Sequence, residues 1–393
     1  QKFKMLSIGK HKSFTLNNTT KDKFNTYLKS YIKDIHSINH SDETNIPIIV
    51  GGQNFDINVR NNDIWENVPR LEYWIPKMLF LENDDKLTLT HFLDTYLDPE
   101  NAYEIINRNC SLIDSFIDDE SLCDKKIIIN NKKIHVDKTE FNNSISEIQK
   151  TINAKKVSKV VISNIISFDV DKKPSFVPLL DNLIKNYPDC SVFYKEINDS
   201  QIILGATPEL IMKKTKNNLQ TNALAGSKPI ETKNELLNDQ KIIKEHDIVV
   251  KGIIDNLNSF NLKSNINNKD IFELKNIAHI ITKIISKIDD ELNPLDILDS
   301  LVPTAALCGY PKKESLKIIN CLENYERGRY AGPIGWINLD MNCEFYAAIR
   351  TAYFNKNKLY FYAGAGIIID SKAEQEWDEI NRKINAIRAI VNE

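Results

Sequence analysis

Runs of β-branched and aromatic residues alternate along the chain with longer segments whose apolar positions recur every three or four residues. The first pattern predicts strands at Ile48–Val50, Val157–Val170, Ser191–Tyr194, Gln201–Leu204, Glu344–Phe354 and Lys358–Tyr362. The second predicts helices at Ser144–Ala154, Pro178–Asn186, Asn234–Asn258, Pro294–Leu301, Lys312–Asn324 and Lys372–Val391. Long helices lie between clusters of strands, and the last two strands read as a hairpin turning at Asn355–Asn357. The regular strand–helix beat of a doubly wound nucleotide fold is missing, so the pattern predicts an α+β or mixed α/β fold. No Pro/Gly/Ser-rich linker or repeat divides residues 1–393, which read as one domain.

The final helix carries two stripes. Ser371 followed by Glu374 fits a capping box. Trp377, Ile380, Ile384, Ile387 and Val391 then share an apolar face, with Glu376, Glu379 and Lys383 on a neighbouring one. The plain reading is a solvated edge with a Glu379–Lys383 pair. The functional reading needs a site above that edge, with carboxylates for a metal and a lysine for an anion. Just upstream, Ala363-Gly364-Ala365-Gly366 reads as a turn whose bare N–H groups could meet an anion. In the helix around residue 245, Glu245-His246 is embedded in an apolar face, where a histidine is ordinarily structural.

Composition narrows the class. Hydrophobic residues make up 42% and charged residues 27%, an ordinary globular balance that excludes disorder. Lys plus Arg total 51 against 54 Asp plus Glu, a net charge of −3 that offers nucleic acid or anionic membrane no general attraction. No apolar run approaches the ~20 residues of a membrane span, and the first twenty residues lack an apolar signal core. The six cysteines (110, 123, 190, 308, 321, 343) are scattered, and read as reduced, mostly buried thiols. The expectation is a soluble cytoplasmic enzyme or binding protein. HExxH, GxxxxGK[ST] and GxSxG are all missing, which argues against zinc proteases, P-loop NTPases and nucleophile-elbow hydrolases. Nine of the twelve glycines lie beyond residue 200, which puts the candidate site in the C-terminal half.

Several segments together resemble the chorismate-utilising enzymes. They are Lys159–Ser163, Leu204–Leu210, Leu224–Ser227, Lys244–His246, Pro303–Pro311, Arg327–Trp336, Glu344–Arg350, Ala363–Ile367 and Glu376–Glu379. Their order and spacing over residues 155–390 carry the likeness. Residues 1–150 match less, although Ser13-Phe14-Thr15 and Ile48–Asp56 look like isochorismate synthases of catecholate siderophore pathways. The resemblance implies an α+β fold of two large sheets flanked by helices, with the site buried between them. The substrate it implies is chorismate, a small dicarboxylate, handled by a monomer. Water is added at C2 and the C4 hydroxyl leaves, which requires a base, an acid and cations for the carboxylates.

By the same resemblance, Lys159 is the general base, made neutral by burial beside other cations. Glu209 is the general acid, its pKa raised by an apolar pocket. Glu245 and Glu379, with Glu376 nearby, are the ligands of Mg²⁺. Arg350 and Lys383 bind substrate as cations. Gly226, Ser227 and Gly364 bring backbone close to it, Ala306 and Tyr330 line the pocket, and His279 meets the leaving hydroxyl or is a packed structural histidine. Val302, Ala305 and Asn164 depart from the family pattern, which bears on fine substrate positioning.

Within this family, Lys159 argues against ammonia-using anthranilate synthases, which carry glutamine there, and the N-terminal third lacks their tryptophan-site signature. Ala306 argues against salicylate synthases, which generally carry Thr. The alternatives are menaquinone-pathway isochorismate synthesis, salicylate synthesis and a catalytically silent chorismate-binding protein.

Overall fold

The computed structural model describes residues 3–16, 20–37, 46–59, 63–83, 86–94, 96–117 and 127–392. Its strands form three antiparallel sheets. The seven-stranded one runs Gly309–Tyr310, Lys159–Val170, Lys358–Ile367, Thr351–Asn355, Gln201–Thr207, Ser191–Asn198, with Ile129–Ile134 also paired to Lys159–Val170. The ten-stranded one runs Ser264–Ile266, Ile277–Lys287, Asn218–Pro229, Leu210–Thr215, Cys343–Ala347, Pro333–Asn338, Pro47–Gln53, Leu71–Ile75, Lys12–Thr15, with Asp270–Glu273 attached to Ile277–Lys287. Phe3–Ile8, Met78–Asn83 and Lys86–His91 make a third, small sheet that the sequence pattern did not predict. The class is α+β.

The strand Lys159–Val170 is buried along almost its whole length, as its β-branched run predicts. Its polar residues are satisfied. Asn164 exchanges hydrogen bonds with the Val136 backbone, and the Ser167 hydroxyl meets His135. Pro294–Leu301 is a helix with the predicted bounds, started by Asn293, whose side chain accepts the Leu295 N–H.

Two crossings decide where the site forms. The sequence reads Glu344–Phe354 as one strand. Instead Cys343–Ala347 belongs to the ten-stranded sheet and Thr351–Asn355 to the seven-stranded one. Between them Arg350 takes φ +53°, a left-handed conformation that reverses the chain and is costly for a residue with a Cβ. In the same way Gln201–Thr207 lies in one sheet and Leu210–Thr215 in the other, with Glu209 between. The crossings are tied together, since the Ala347 N–H donates to the Glu209 carbonyl.

Other expectations are corrected here. Ala363–Gly366 is not a turn. It lies inside the strand Lys358–Ile367, with Gly364 opposite Ser163 and Gly366 opposite Val161. Glycine is tolerated in this strand because neighbouring side chains occupy the space a Cβ would take: Tyr330 at Gly364, Glu245 and Lys159 at Gly366. The segment Asn234–Asn258 is two elements. A 3-10 stretch ends at Asn238, and Asp239 caps the α-helix Gln240–Asn258 by accepting the Lys241 and Ile242 N–H groups. Ser371 and Glu374 form no capping box. The Ser371 hydroxyl accepts the Ile368 N–H, and Glu374 pairs with Lys138. Among the described cysteines Cys308 and Cys343 are buried, Cys110 and Cys190 half-buried and Cys321 exposed, so "mostly buried" does not hold, and Cys123 lies outside the described residues. No helix among the described residues is long and apolar enough to cross a membrane.

Candidate active site

A narrow cavity between the two large sheets is lined by Lys159, Glu209, Gly226, Ser227, Glu245, His279, Ala306, Tyr330, Arg350, Gly364, Glu379 and Lys383. These are the residues that sequence analysis singled out, drawn from positions more than 200 apart. Only Glu376 stands off this lining. A wider cleft of about 370 Å³, bordered by Phe55, Asp56, Glu323 and Arg327, contains none of them.

Lys159 is 1% exposed, and its Nζ lies 2.9 Å from Glu245 Oε1. The nearest charge is therefore a carboxylate, where the sequence predicts further cations. Glu209 is 3% exposed. Burial pushes its carboxyl up to about 7, against the opposing pull of the Thr304 hydroxyl and Lys159. Thr304 Oγ1 donates to Glu209 Oε1 at 3.0 Å. In the protonated acid that bond fixes Oε1 as the acceptor and leaves Oε2 to carry the proton. Thr304 is a site residue that sequence reasoning missed, and 95 positions separate it from Glu209.

Each predicted metal ligand holds a lysine. Glu245 pairs with Lys159, Glu379 with Lys383 at 2.6 Å, and Glu376 with Lys241 at 2.5 Å. Lys241 was not anticipated. Among the described residues no three His, Cys, Asp or Glu side chains stand close enough to cage a cation. The chemistry of the donors still suits one. Burial and then the charges of Glu379 and Glu245 push the Glu376 carboxyl up, whereas Lys383 holds Glu379 low despite its burial. Carboxylates that raise one another's pKa, one buried and two half-buried, supply the hard oxygen donors a Mg²⁺ ion takes.

Lys383 also donates to the Gly364 carbonyl at 2.9 Å. Arg350 Nη2 donates to His279 Nε2 at 2.7 Å, and the other ring nitrogen lies 3.0 Å from Ser227 Oγ. No carboxylate pairs with Arg350 among the described residues, so a half-buried guanidinium borders the cavity without a counter-charge. That arrangement calls for an anionic ligand. His246 is a structural histidine, fully buried, donating from Nδ1 to the Ala225 carbonyl and accepting the Thr282 hydroxyl at Nε2. Burial pushes its ring down to about 4. Val302 and Ala305 pack in the apolar core, while Ala306 beside them faces the cavity.

The family profile described as "Chorismate binding enzyme" matches residues 1–392. The chain belongs to that family. It is similar to isochorismate synthase MenF of Bacillus subtilis (strain 168), 27% identical over 350 residues, covering 86% of this chain and 73% of the relative. It is also similar to anthranilate synthase component 1 of Saccharolobus solfataricus, 29% identical over 267 residues. That match covers 65% of this chain and 63% of the relative, so the chain spans less than two thirds of that enzyme. Among solved structures, the menaquinone-specific isochorismate synthase MenF of Escherichia coli aligns over 99% of this chain and 86% of its own, with a TM-score of 0.81 at 22% identity. This likeness bears on the fold alone, and agrees with an α+β architecture built on two large sheets.

Proposed function

We propose that the chain is an isochorismate synthase, and that it converts chorismate to isochorismate. The observation that carries this reading is the presence, in one cavity, of buried Lys159 and a Glu209 whose carboxyl burial raises to about 7. Lys159 takes a proton from water as the water oxygen bonds to C2. The ring double bonds shift, the C4–O bond breaks, and Glu209 delivers its proton to the departing hydroxyl, which leaves as water. One water enters and one leaves, so the reaction is an isomerisation. Lys159 acts as a base only after its ion pair with Glu245 has parted and its own proton has left to solvent, and after each turnover the protonated lysine and the ionised Glu209 are reset by proton exchange with solvent. Arg350 and Lys383 supply the positive charge that binds the two substrate carboxylates.

Glu245 and Glu379, with Glu376 beside them, would hold Mg²⁺. When bound, the ion would neutralise these glutamates and take up a substrate carboxylate oxygen. Calorimetry should then show Mg²⁺ and chorismate tightening each other's binding by the same factor, since such coupling is reciprocal. Glu379→Ala should abolish the coupling even at excess metal. Independent binding would remove the metal from the site. For the pathway served, we infer catecholate siderophore assembly, on the likeness of Ser13-Phe14-Thr15 and Ile48–Asp56, with menaquinone synthesis as the alternative.

Ala306 tests the reading against salicylate synthesis. It is a small side chain on the cavity wall, where relatives that eliminate pyruvate carry a threonine. Ala306→Thr adds a hydroxyl and a methyl, and a displacement of ~1 Å can change a rate ~10²-fold. A coupled pyruvate assay should find little pyruvate from the unaltered protein, and detectable pyruvate with salicylate from the variant. Substantial pyruvate from the unaltered protein would make it a salicylate synthase.

A further inference from the structure

The hydrogen-bond chain Arg350–His279–Ser227 on the cavity wall has a direction. A guanidinium has donors only, so His279 Nε2, 2.7 Å from Arg350 Nη2, must accept. A neutral ring with Nε2 as acceptor carries its proton on Nδ1. That nitrogen lies 3.0 Å from Ser227 Oγ and donates to it. With its oxygen engaged as acceptor, the Ser227 hydroxyl keeps its own proton for another partner, and no other hydrogen bond to Oγ is formed among the described residues.

The backbone fixes this arrangement. Ser227 and His279 face each other across the neighbouring strands Asn218–Pro229 and Ile277–Lys287, immediately after a bulge at Gly226. Gly226 has φ +78°, and a Cβ there would strike Ile242. Without that bulge the register would shift and Ser227 would turn to the other face of the sheet. Arg350 enters from the crossing between the sheets, in its left-handed conformation. Burial, and then the charges of Arg350 and Lys383, the two cations facing the ring, keep it neutral against the opposing pull of the Gly226 backbone.

We propose that His279 is a positioning residue and that Ser227 is the group that touches substrate. The neutral imidazole turns the Ser227 hydroxyl into the cavity as a donor to a substrate oxygen, while its other nitrogen anchors Arg350 for a substrate carboxylate. This rests on the reading of the cavity as a chorismate site. It replaces the expectation that His279 itself meets the leaving hydroxyl, because neither ring nitrogen is free to do so.

Two independent measurements test it. The first needs no substrate. In protein carrying ¹⁵N-histidine, with the His279 signal identified by its loss in His279→Gln, Nδ1 should show the protonated shift and Nε2 the unprotonated one from pH 5 to 8. The opposite tautomer, or titration of the ring in that range, overturns the proposal. The second is kinetic. His279→Gln keeps an acceptor for Arg350 and loses the donor to Ser227, so it should lower kcat roughly tenfold with KM little changed, as should Ser227→Ala. Their double variant should be no worse than Ser227→Ala, since both remove one interaction. His279→Asn keeps a donor near Ser227 and loses the anchor of Arg350, so it should raise KM roughly tenfold with kcat little changed. In all of them the limb of the pH–rate profile near pH 7 should stay. If His279 is instead a proton donor, every substitution will cost 10²–10⁴ in kcat and shift that limb. If chorismate is no substrate at all, the unaltered protein will show no turnover, which defeats the functional reading while the tautomer measurement still decides the chain.

Discussion

Glu209→Gln is expected to lower kcat by about 10²–10⁴ without unfolding the protein, and Lys159→Ala to do the same. Glutamine keeps the shape of the acid and the hydrogen bond from Thr304, but has no proton to give to a departing hydroxyl. The pH dependence follows from the same group. Burial raises the Glu209 carboxyl from 4.5 to about 7, so the competent, protonated form prevails below pH 7 and turnover should fall as pH rises through that value. Stability should move the same way. A carboxyl whose pKa is raised by folding makes a contribution fully present below about 4.5 and lost as pH rises to about 7. At about 1.4 kcal/mol per unit this is on the order of 3 kcal/mol. Glu209→Gln should therefore be less sensitive to pH in denaturant melts between pH 5 and 8, and more stable than the unaltered protein at pH 8. Near-normal turnover by Glu209→Gln, or an unchanged pH dependence of its stability, would remove Glu209 from the role of acid.

The second large effect concerns the Arg327–Glu323 pair, which lies behind the cavity wall. Arg327 donates to Glu323 through Nε and Nη2, and also to the carbonyls of Leu307 and Val161. Glu323 in turn accepts the N–H and hydroxyl of Ser163. Both side chains are almost wholly buried. The pair thus bolts the Lys159 strand to the loop that bears Ala306. Arg327→Met leaves Glu323 buried without its counter-charge, and such a break costs roughly 3–5 kcal/mol. A urea melt should show that loss. Glu323→Gln should cost less, because its amide oxygen can still accept from Arg327. A loss under about 1 kcal/mol in Arg327→Met would mean that water reaches the pair and that it is no anchor.

Much of this molecule was legible in its sequence where the side chains alone set the local outcome. The β-branched run at Lys159–Val170 and the Asn293-Pro294 start of the helix to Leu301 are such cases. What was not legible depends on partners far away in the chain. The break at Ala348–Arg350 looks like continuous strand because its composition is strand-like, and only the demands of two separate sheets turn it. Ala363–Gly366 looks like a turn because glycine is rare in strands, and only the bulk of Lys159, Glu245 and Tyr330 above it explains the bare positions. The strands Asn218–Pro229 and Ile277–Lys287 were missed outright. The first is rich in Asn, Gly and Pro, which disfavour strand. Their bulged register is what joins Ser227 to His279. The site residues themselves were found through family likeness, and the cavity unites nearly all of them. Thr304 lies in a segment that the family likeness had picked out, but its role was missed because its partner Glu209 is 95 positions away, and Lys241 was missed because nothing near it marks a lysine held by a buried glutamate.

Turnover of chorismate by the purified protein with Mg²⁺, with and without an ammonium salt, bears most directly on the central claim. The products would be separated and identified, and released pyruvate measured alongside. Isochorismate in both mixtures, with little pyruvate and no aminated product, is the outcome expected from Lys159 activating water and Glu209 releasing the C4 hydroxyl. Anthranilate in the ammonium mixture, salicylate with stoichiometric pyruvate, or chorismate left unchanged would each contradict it.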